Sequence, residues 1–180
     1  MSARVPTERL FREHAPFVAS FLRRLGVHSV DVDDAVQEVF LVAHQRGFTP
    51  GPATPRSWLG AIAWRVASAR RRAATHRREI PDDSGIHDLR ATTAGPAAAA
   101  ETREALVLAG RALDSLDEEH RVPFILFELE GESCASIAAG LEVPLGTVYS
   151  RLHNARRRFL AAYAEAARDP SDATDDEVGR

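Results

Sequence analysis

The chain has 180 residues, 44% of them hydrophobic and 7% aromatic, which is enough for one medium domain or two small ones and fits small helical modules better than a β-sandwich. A single cysteine, Cys134, excludes an intramolecular disulfide and fits a reducing cytosol; no apolar run reaches membrane-spanning length, and the N-terminus has Arg4 and Arg9 but no continuous apolar stretch of a signal peptide. The net charge of −3 argues against a nucleic-acid partner only until it is divided: residues 1–80 carry 13 arginines against 7 carboxylates, whereas residues 101–163 carry 7 against 10 and residues 164–180 carry 2 against 6, a basic front and an acidic rear.

Thr7–Leu25 places Leu10, Phe11, Phe17, Val18, Phe21, Leu22 and Leu25 at helical spacing, with Thr7 as the expected cap and Pro16 expected to kink or divide the helix. A second helix is predicted from Asp31. Val32, Ala35, Val36, Val39, Phe40 and Ala43 form its apolar stripe, and Asp31, Asp33 and Asp34 stand in the first turn, where carboxylates suit the helix dipole. Gly47 ends it, and Gly47–Pro55 reads as a loop. A third helix is predicted over Ser57–Arg72, with Trp58, Leu59, Ile62, Ala63 and Val66 turned to the core. It ends in Arg70, Arg71 and Arg72, with Arg77 and Arg78 beyond. All 23 basic residues are arginine and none is lysine, so every cation can grip phosphate or guanine through a planar fork.

Residues 79–100 lack a periodic apolar face and are rich in Ala, Asp, Thr, Gly and Pro, the composition of a flexible linker; Ala97–Ala100 already suit the next helix. Helical spacing resumes with Leu106, Leu108, Leu113 and Leu116, then over Glu118–Glu130, which Gly131 stops. Two further helices, Ser133–Leu141 and Leu145–Ala164, read as a helix-turn-helix with Pro144 in the turn. Val148, Leu152, Ala155 and Phe159 form its inner stripe. Thr147, Ser150, Arg151 and Asn154 lie opposite, with groups that reach base edges in a major groove, and Arg156, Arg157 and Arg158 suit phosphates. Residues 164–180 read as an acidic disordered tail. The predicted fold is all-α, two small helical domains at 1–78 and 101–163 joined by the linker.

Several of these runs resemble one family. Leu113-x-x-Leu116, Arg121, Phe124, Glu130-Gly131, Ile137-Ala138 and the run Val143-Pro144-Leu145-Gly146-Thr147-Val148-Tyr149-Ser150-Arg151-Leu152-His153-Asn154-Ala155-Arg156 resemble region 4 of the extracytoplasmic-function sigma factors. The resemblance implies binding to the promoter's minus-thirty-five element, with Tyr149 joining the polar face, and to the polymerase β-flap. Asp31–Leu41 resembles the part of region 2 that docks on the β′ clamp helices of core RNA polymerase, which implies polymerase contacts by Asp34, Gln37, Glu38 and Leu41. Pro55–Ala63 and the arginine cluster resemble the part that melts and reads the minus-ten element, which implies roles for Trp64, Arg65, Arg70, Arg71 and Arg72. The implied protein is an alternative sigma factor, cytoplasmic and without membrane insertion, with core polymerase, promoter DNA and an anti-sigma factor as partners. No third domain separates its two modules, and no long inhibitory region precedes them. It departs from the family at Glu142, where a turn glycine is frequent, at Tyr149, at Pro123, at Trp64-Arg65 and at Ala69.

Two other classes fit less well. His28, Asp33, Asp34, Glu38 and His44 could be assembled into a metal site, but Asp34 and Glu38 look outward on one helix and no second helix offers a matching pair. There is no phosphate-binding glycine loop, nucleophile elbow or paired-cysteine zinc signature, so neither catalysis, nor a metal, nor a cofactor is expected. A free-standing helix-turn-helix repressor or activator has no need of the basic N-terminal module.

Overall fold

A computed structural model describes residues 3–76 and 96–168. In chain order the helices are α1 (Thr7–Arg24), α2 (Val32–Arg46), α3 (Pro55–His76), α4 (Pro96–Asp114), α5 (Glu118–Phe124), α6 (Cys134–Leu141) and α7 (Leu145–Ala166). A short 3-10 turn, Ser29–Asp31, leads into α2, and a π-turn, Ile125–Leu129, extends α5. Among the described residues the only extended pairing is an isolated antiparallel bridge between Val5 and Phe48. The fold is all-α, as the periodicity predicts. Most of the expected linker and the tail beyond Arg168 lie outside the described residues.

Local chemistry sets the helix ends, with some corrections to the sequence reading. Thr7 does not cap α1: Pro6 occupies that position and no side chain caps it, while the Thr7 hydroxyl lies 3.3 Å from His44 Nδ1. Pro16 does not divide α1, which continues through it to Arg24; the flanking Phe17, Val18 and Phe21 are buried, so packing outweighs the backbone bond a proline removes. The third helix starts two residues earlier than predicted, with Pro55 in the first helical position, where its missing N–H costs nothing, and runs on to His76. Asp117 caps α5 by accepting from His120 N–H at 3.2 Å, and Ser133 caps α6 by accepting from Ser136 N–H at 3.1 Å. Pro123 lies inside α5. Directly after it the ladder lengthens, and Glu130 N–H donates to the Ile125 carbonyl at 3.1 Å.

Helices α1, α2 and α3 bury Leu10, Phe21, Leu22, Val39, Leu59 and Ile62 between them. Helices α5, α6 and α7 bury Ile125, Leu126, Ile137, Leu141, Val148 and Leu152. These two clusters form one core, because α6 lies along α3. The approach is close: a Cβ on Gly140 would stand 2.6 Å from the Ser57 carbonyl oxygen, and one on Gly60 would stand 3.1 Å from a Leu126 methyl. At Gly140 only glycine permits that backbone separation; at Gly60 the Leu126 side chain would have to give by a few tenths of an ångström.

Candidate nucleic-acid and polymerase interfaces

The helix-turn-helix consists of α6, a three-residue turn and α7. Glu142 occupies the turn in the left-handed region, with φ 59° and ψ 41°, the conformation that makes glycine frequent at such a corner. Val143 N–H then donates to the Ala138 carbonyl at 3.0 Å, and Pro144 opens α7. Val148, Leu152 and Ala155 are buried, which turns the opposite side of α7 outward. Tyr149, Ser150, Arg156, Arg157 and Arg158 are exposed, and Thr147, Arg151 and Asn154 are half-buried. Arg151 donates to Glu119 at 2.9 Å and Arg158 to Asp117 at 2.7 Å, both carboxylates at the start of α5; Arg156 pairs with Glu128. Hydrogen bonds from His120 and, against some burial, from Arg158 hold the Asp117 carboxyl below its usual range. The exposed pairs of Arg156 and Arg158 contribute roughly 0–1 kcal/mol each, whereas the Arg151 side chain is mostly covered.

On α3, Arg72 is exposed and Arg70 donates to Glu38 of α2 at 3.0 Å. The remaining expected minus-ten residues face the second half of the chain. The Trp64 indole N–H donates to Glu118 at 2.8 Å, the Ser68 hydroxyl donates to the same carboxylate oxygen, and Arg71 pairs with its other oxygen. Arg65 lies 3.6 Å from Glu142. Burial works to raise the Glu118 carboxyl, but the hydrogen bonds from Ser68 and Trp64 and the Arg71 charge prevail and hold it below the usual carboxylate range.

On α2, Asp34 and Gln37 are exposed, Glu38 is half-buried, and Leu41 is 64% exposed. Phe11 of α1 is 47% exposed and meets Phe40 edge to face at 4.9 Å.

A polar seam that the sequence reading does not foresee ties the two halves. The Glu132 carboxylate accepts from Thr54 Oγ1 at 2.6 Å, Ser57 Oγ at 2.9 Å and Ser136 Oγ at 3.0 Å. Glu130 accepts from Arg24 at 2.6 Å and Arg56 at 3.0 Å. Glu132 lies next to Ser133 in sequence and four residues before Ser136, which reads as ordinary helix-end chemistry; its partners Ser57 and Thr54 lie 75 and 78 positions away. Among the described residues no three His, Cys, Asp or Glu side chains gather as a metal site, and no helix is long and apolar enough to cross a membrane.

Comparison with known proteins agrees with this geometry. Residues 10–77 match the family described as Sigma-70 region 2, and residues 101–159 match Sigma-70, region 4. The chain is 35% identical over 162 residues to the ECF RNA polymerase sigma factor SigL of Mycobacterium tuberculosis, covering 87% of this chain and 88% of SigL. It is 33% identical over 147 residues to the ECF RNA polymerase sigma-E factor of Escherichia coli K12, covering 77% of this chain and 76% of that one. It is also 31% identical to SigE of Mycolicibacterium smegmatis, of whose length it spans 62%. Its fold is that of the sigma factor RpoE from Bartonella quintana, solved in complex with the anti-sigma factor NepR, with a TM-score of 0.67 at 21% identity over 87% of this chain and 96% of that one. CnrH, solved in complex with the cytosolic domain of CnrY, aligns with a TM-score of 0.58 at 24% identity over 88% of each chain. With both sigma regions matched in order and relatives that align over most of its length, the chain belongs to the extracytoplasmic-function sigma factors of the sigma-70 family, a family of transcription initiation factors.

Proposed function

We propose that the chain is an alternative sigma factor that recruits core RNA polymerase through α2 and reads promoters with α3 and α7. The first unit, residues 1–78, docks on the β′ clamp helices through Asp34, Gln37, Glu38 and Leu41. Its α3 then takes the melted minus-ten strand, with Trp64 as a stacking surface and Arg65, Arg70, Arg71 and Arg72 on the phosphates. The second unit, residues 101–163, lies against the β-flap and inserts α7 at the minus-thirty-five element. Thr147, Tyr149, Ser150, Arg151 and Asn154 face the bases, and Arg156, Arg157 and Arg158 hold the backbone. The protein acts in the cytoplasm and catalyses nothing itself. An anti-sigma factor is its regulator, a reading supported by the solved complex of the sigma factor RpoE with the anti-sigma factor NepR.

The observation that carries this reading is the union, in one chain, of a helix-turn-helix with a second helical module whose α2 leaves Leu41 bare among polar groups. A repressor requires only the first. The test is fluorescence anisotropy on a promoter fragment recovered with core polymerase, at fixed salt. The second module and tail carry excess negative charge, so the chain alone is expected to bind duplex only non-specifically, near ~10⁻⁴–10⁻⁶ M. Core enzyme holds both modules at promoter spacing and raises avidity by roughly 10²–10⁴. Nanomolar, sequence-specific binding by the chain alone would overturn the reading in favour of a repressor.

A further inference from the structure

We propose that Asp117, Glu119 and Glu128 are built-in counterions of the α7 reader, so that its arginines reach DNA only by exchanging a carboxylate of their own module for a DNA anion. This rests on the reading of α7 as the DNA helix. The sequence offers Arg151, Arg156, Arg157 and Arg158 there as cations for DNA, and the structure divides them. Arg151 donates to Glu119 at 2.9 Å, Arg156 to Glu128 at 2.5 Å and Arg158 to Asp117 at 2.7 Å. Arg157 is exposed and, among the described residues, forms no ion pair. The pairing is set by the packing of α5 and its π-turn along α7, since the partners lie 32, 28 and 41 positions apart in the chain.

Two of the three arginines are held by more than a carboxylate. Arg156 lies over the Phe127 ring, 5.2 Å from its centroid. Arg151 is mostly covered, and its Nη1 is buried without a hydrogen-bond partner among the described residues. The end-on edge of its fork is therefore unavailable to an outside anion until the side chain moves: Glu119 takes Nη2, and burial hides Nη1. A free arginine gains an anion on binding DNA. An arginine held in this way gains one and forfeits one, and the carboxylate it leaves faces the phosphates. The hold of α7 on duplex of every sequence is thereby weakened. Its affinity also falls less steeply with salt than four free arginines would make it, since each unopposed phosphate contact contributes about 0.9 to the slope of log affinity against log salt. Glu119 and Glu128 are positioning residues, which act through the arginine each one holds.

The test follows binding of the full chain to a fluorescein-labelled, mixed-sequence DNA duplex by anisotropy across a salt series. Glu119→Gln and Glu128→Gln keep the side-chain shape and remove the charge; Asp117 is left in place because it also caps α5. Glu165→Gln, at an exposed position near the end of α7, controls for the plain loss of one negative charge. Each of the first two variants is expected to steepen the salt slope by about 0.9 beyond that control. The effect of Glu119→Gln is expected to vanish when Arg151→Ala is already present, and that of Glu128→Gln when Arg156→Ala is present. Folding of every variant is checked by circular dichroism. A shift no larger than that of Glu165→Gln overturns the exchange, and so does a shift that survives removal of the arginine. Failure of every form to bind duplex at the lowest salt overturns it together with the reading of α7. The expected shifts in a chain that finds no promoter with core polymerase support the exchange and count against the sigma reading alone.

Discussion

Glu142 has the only positive φ among the described non-glycine residues. An L side chain there costs on the order of 1 kcal/mol against glycine. Glu142→Gly is expected to stabilise the chain by about that amount in urea unfolding, and a net loss would mean that its approach to Arg65 outweighs the backbone strain. Arg151 presents a second residue-scale case. It is mostly covered and pairs with Glu119, whereas Arg157 is exposed on the next turn and a half of α7. Arg151→Ala is expected to cost about 1–3 kcal/mol at one promoter position, and Arg157→Ala to weaken binding to every sequence alike. Binding to a panel of single-base promoter variants, in the presence of core enzyme, separates the two. At this scale the sequence made the Glu142 strain legible, because the turn is set by Pro144 and the helices on either side. Glu118 was not legible, since an acidic residue in a first helical turn is already explained by the dipole.

The helices were legible as elements because their stripes keep helical period, and α1, α2, α6 and α7 lie within two residues of their predicted bounds, whereas α3 runs four residues past Arg72. Proline reads locally as a break, yet α1 runs through Pro16, because Phe17, Val18 and Phe21 beside it are buried and tertiary packing keeps the chain helical; Pro123 lies inside the predicted Glu118–Glu130 helix, and the π-turn follows it directly. Pro16 itself is exposed, so its ring contributes little to the core. Pro16→Ala restores the bond to the Arg12 carbonyl and is expected to raise stability by roughly 1–2 kcal/mol, after allowance for the freer unfolded chain. Thermal unfolding followed by circular dichroism measures it, and no gain would place compensating strain relief elsewhere in α1.

At the scale of the whole molecule, residues 79–100 have the composition of a linker and are the expected first site of limited proteolysis. The seam between α3 and α6 adds a consequence that composition alone does not: the two halves of a nicked chain are expected to co-elute in gel filtration at low salt. Separation on nicking would show that the linker, and not the seam, holds them. Acid supplies an independent probe. The folded Glu118 carboxyl lies below its ordinary value of 4.5, so the stability it contributes is complete above that pH and is lost as pH falls through the lowered value. Glu118→Gln is expected to flatten the acid limb of a melting-temperature profile taken from about pH 6 to about pH 3, leaving the neutral limb parallel to the parent. The seam was the least legible part of the molecule. It is built from Ser57, Gly60, Ser136 and Gly140, small residues that leave no apolar period, and from carboxylates whose partners lie far off in sequence.

The π-turn after Pro123 makes helix length a variable in its own right. One residue more than an α-turn needs rotates everything downstream by roughly 100°; at its end Leu129 is exposed and Glu130 meets Arg24 and Arg56. Loss of the Phe127 codon would restore a regular helix and swing Glu130 off its two arginines without altering one charge in the chain. Reading frame aside, a three-base deletion is thus a mutation class distinct from any substitution here, one that re-keys how the two halves of the protein recognise each other while leaving the composition of both recognition helices intact.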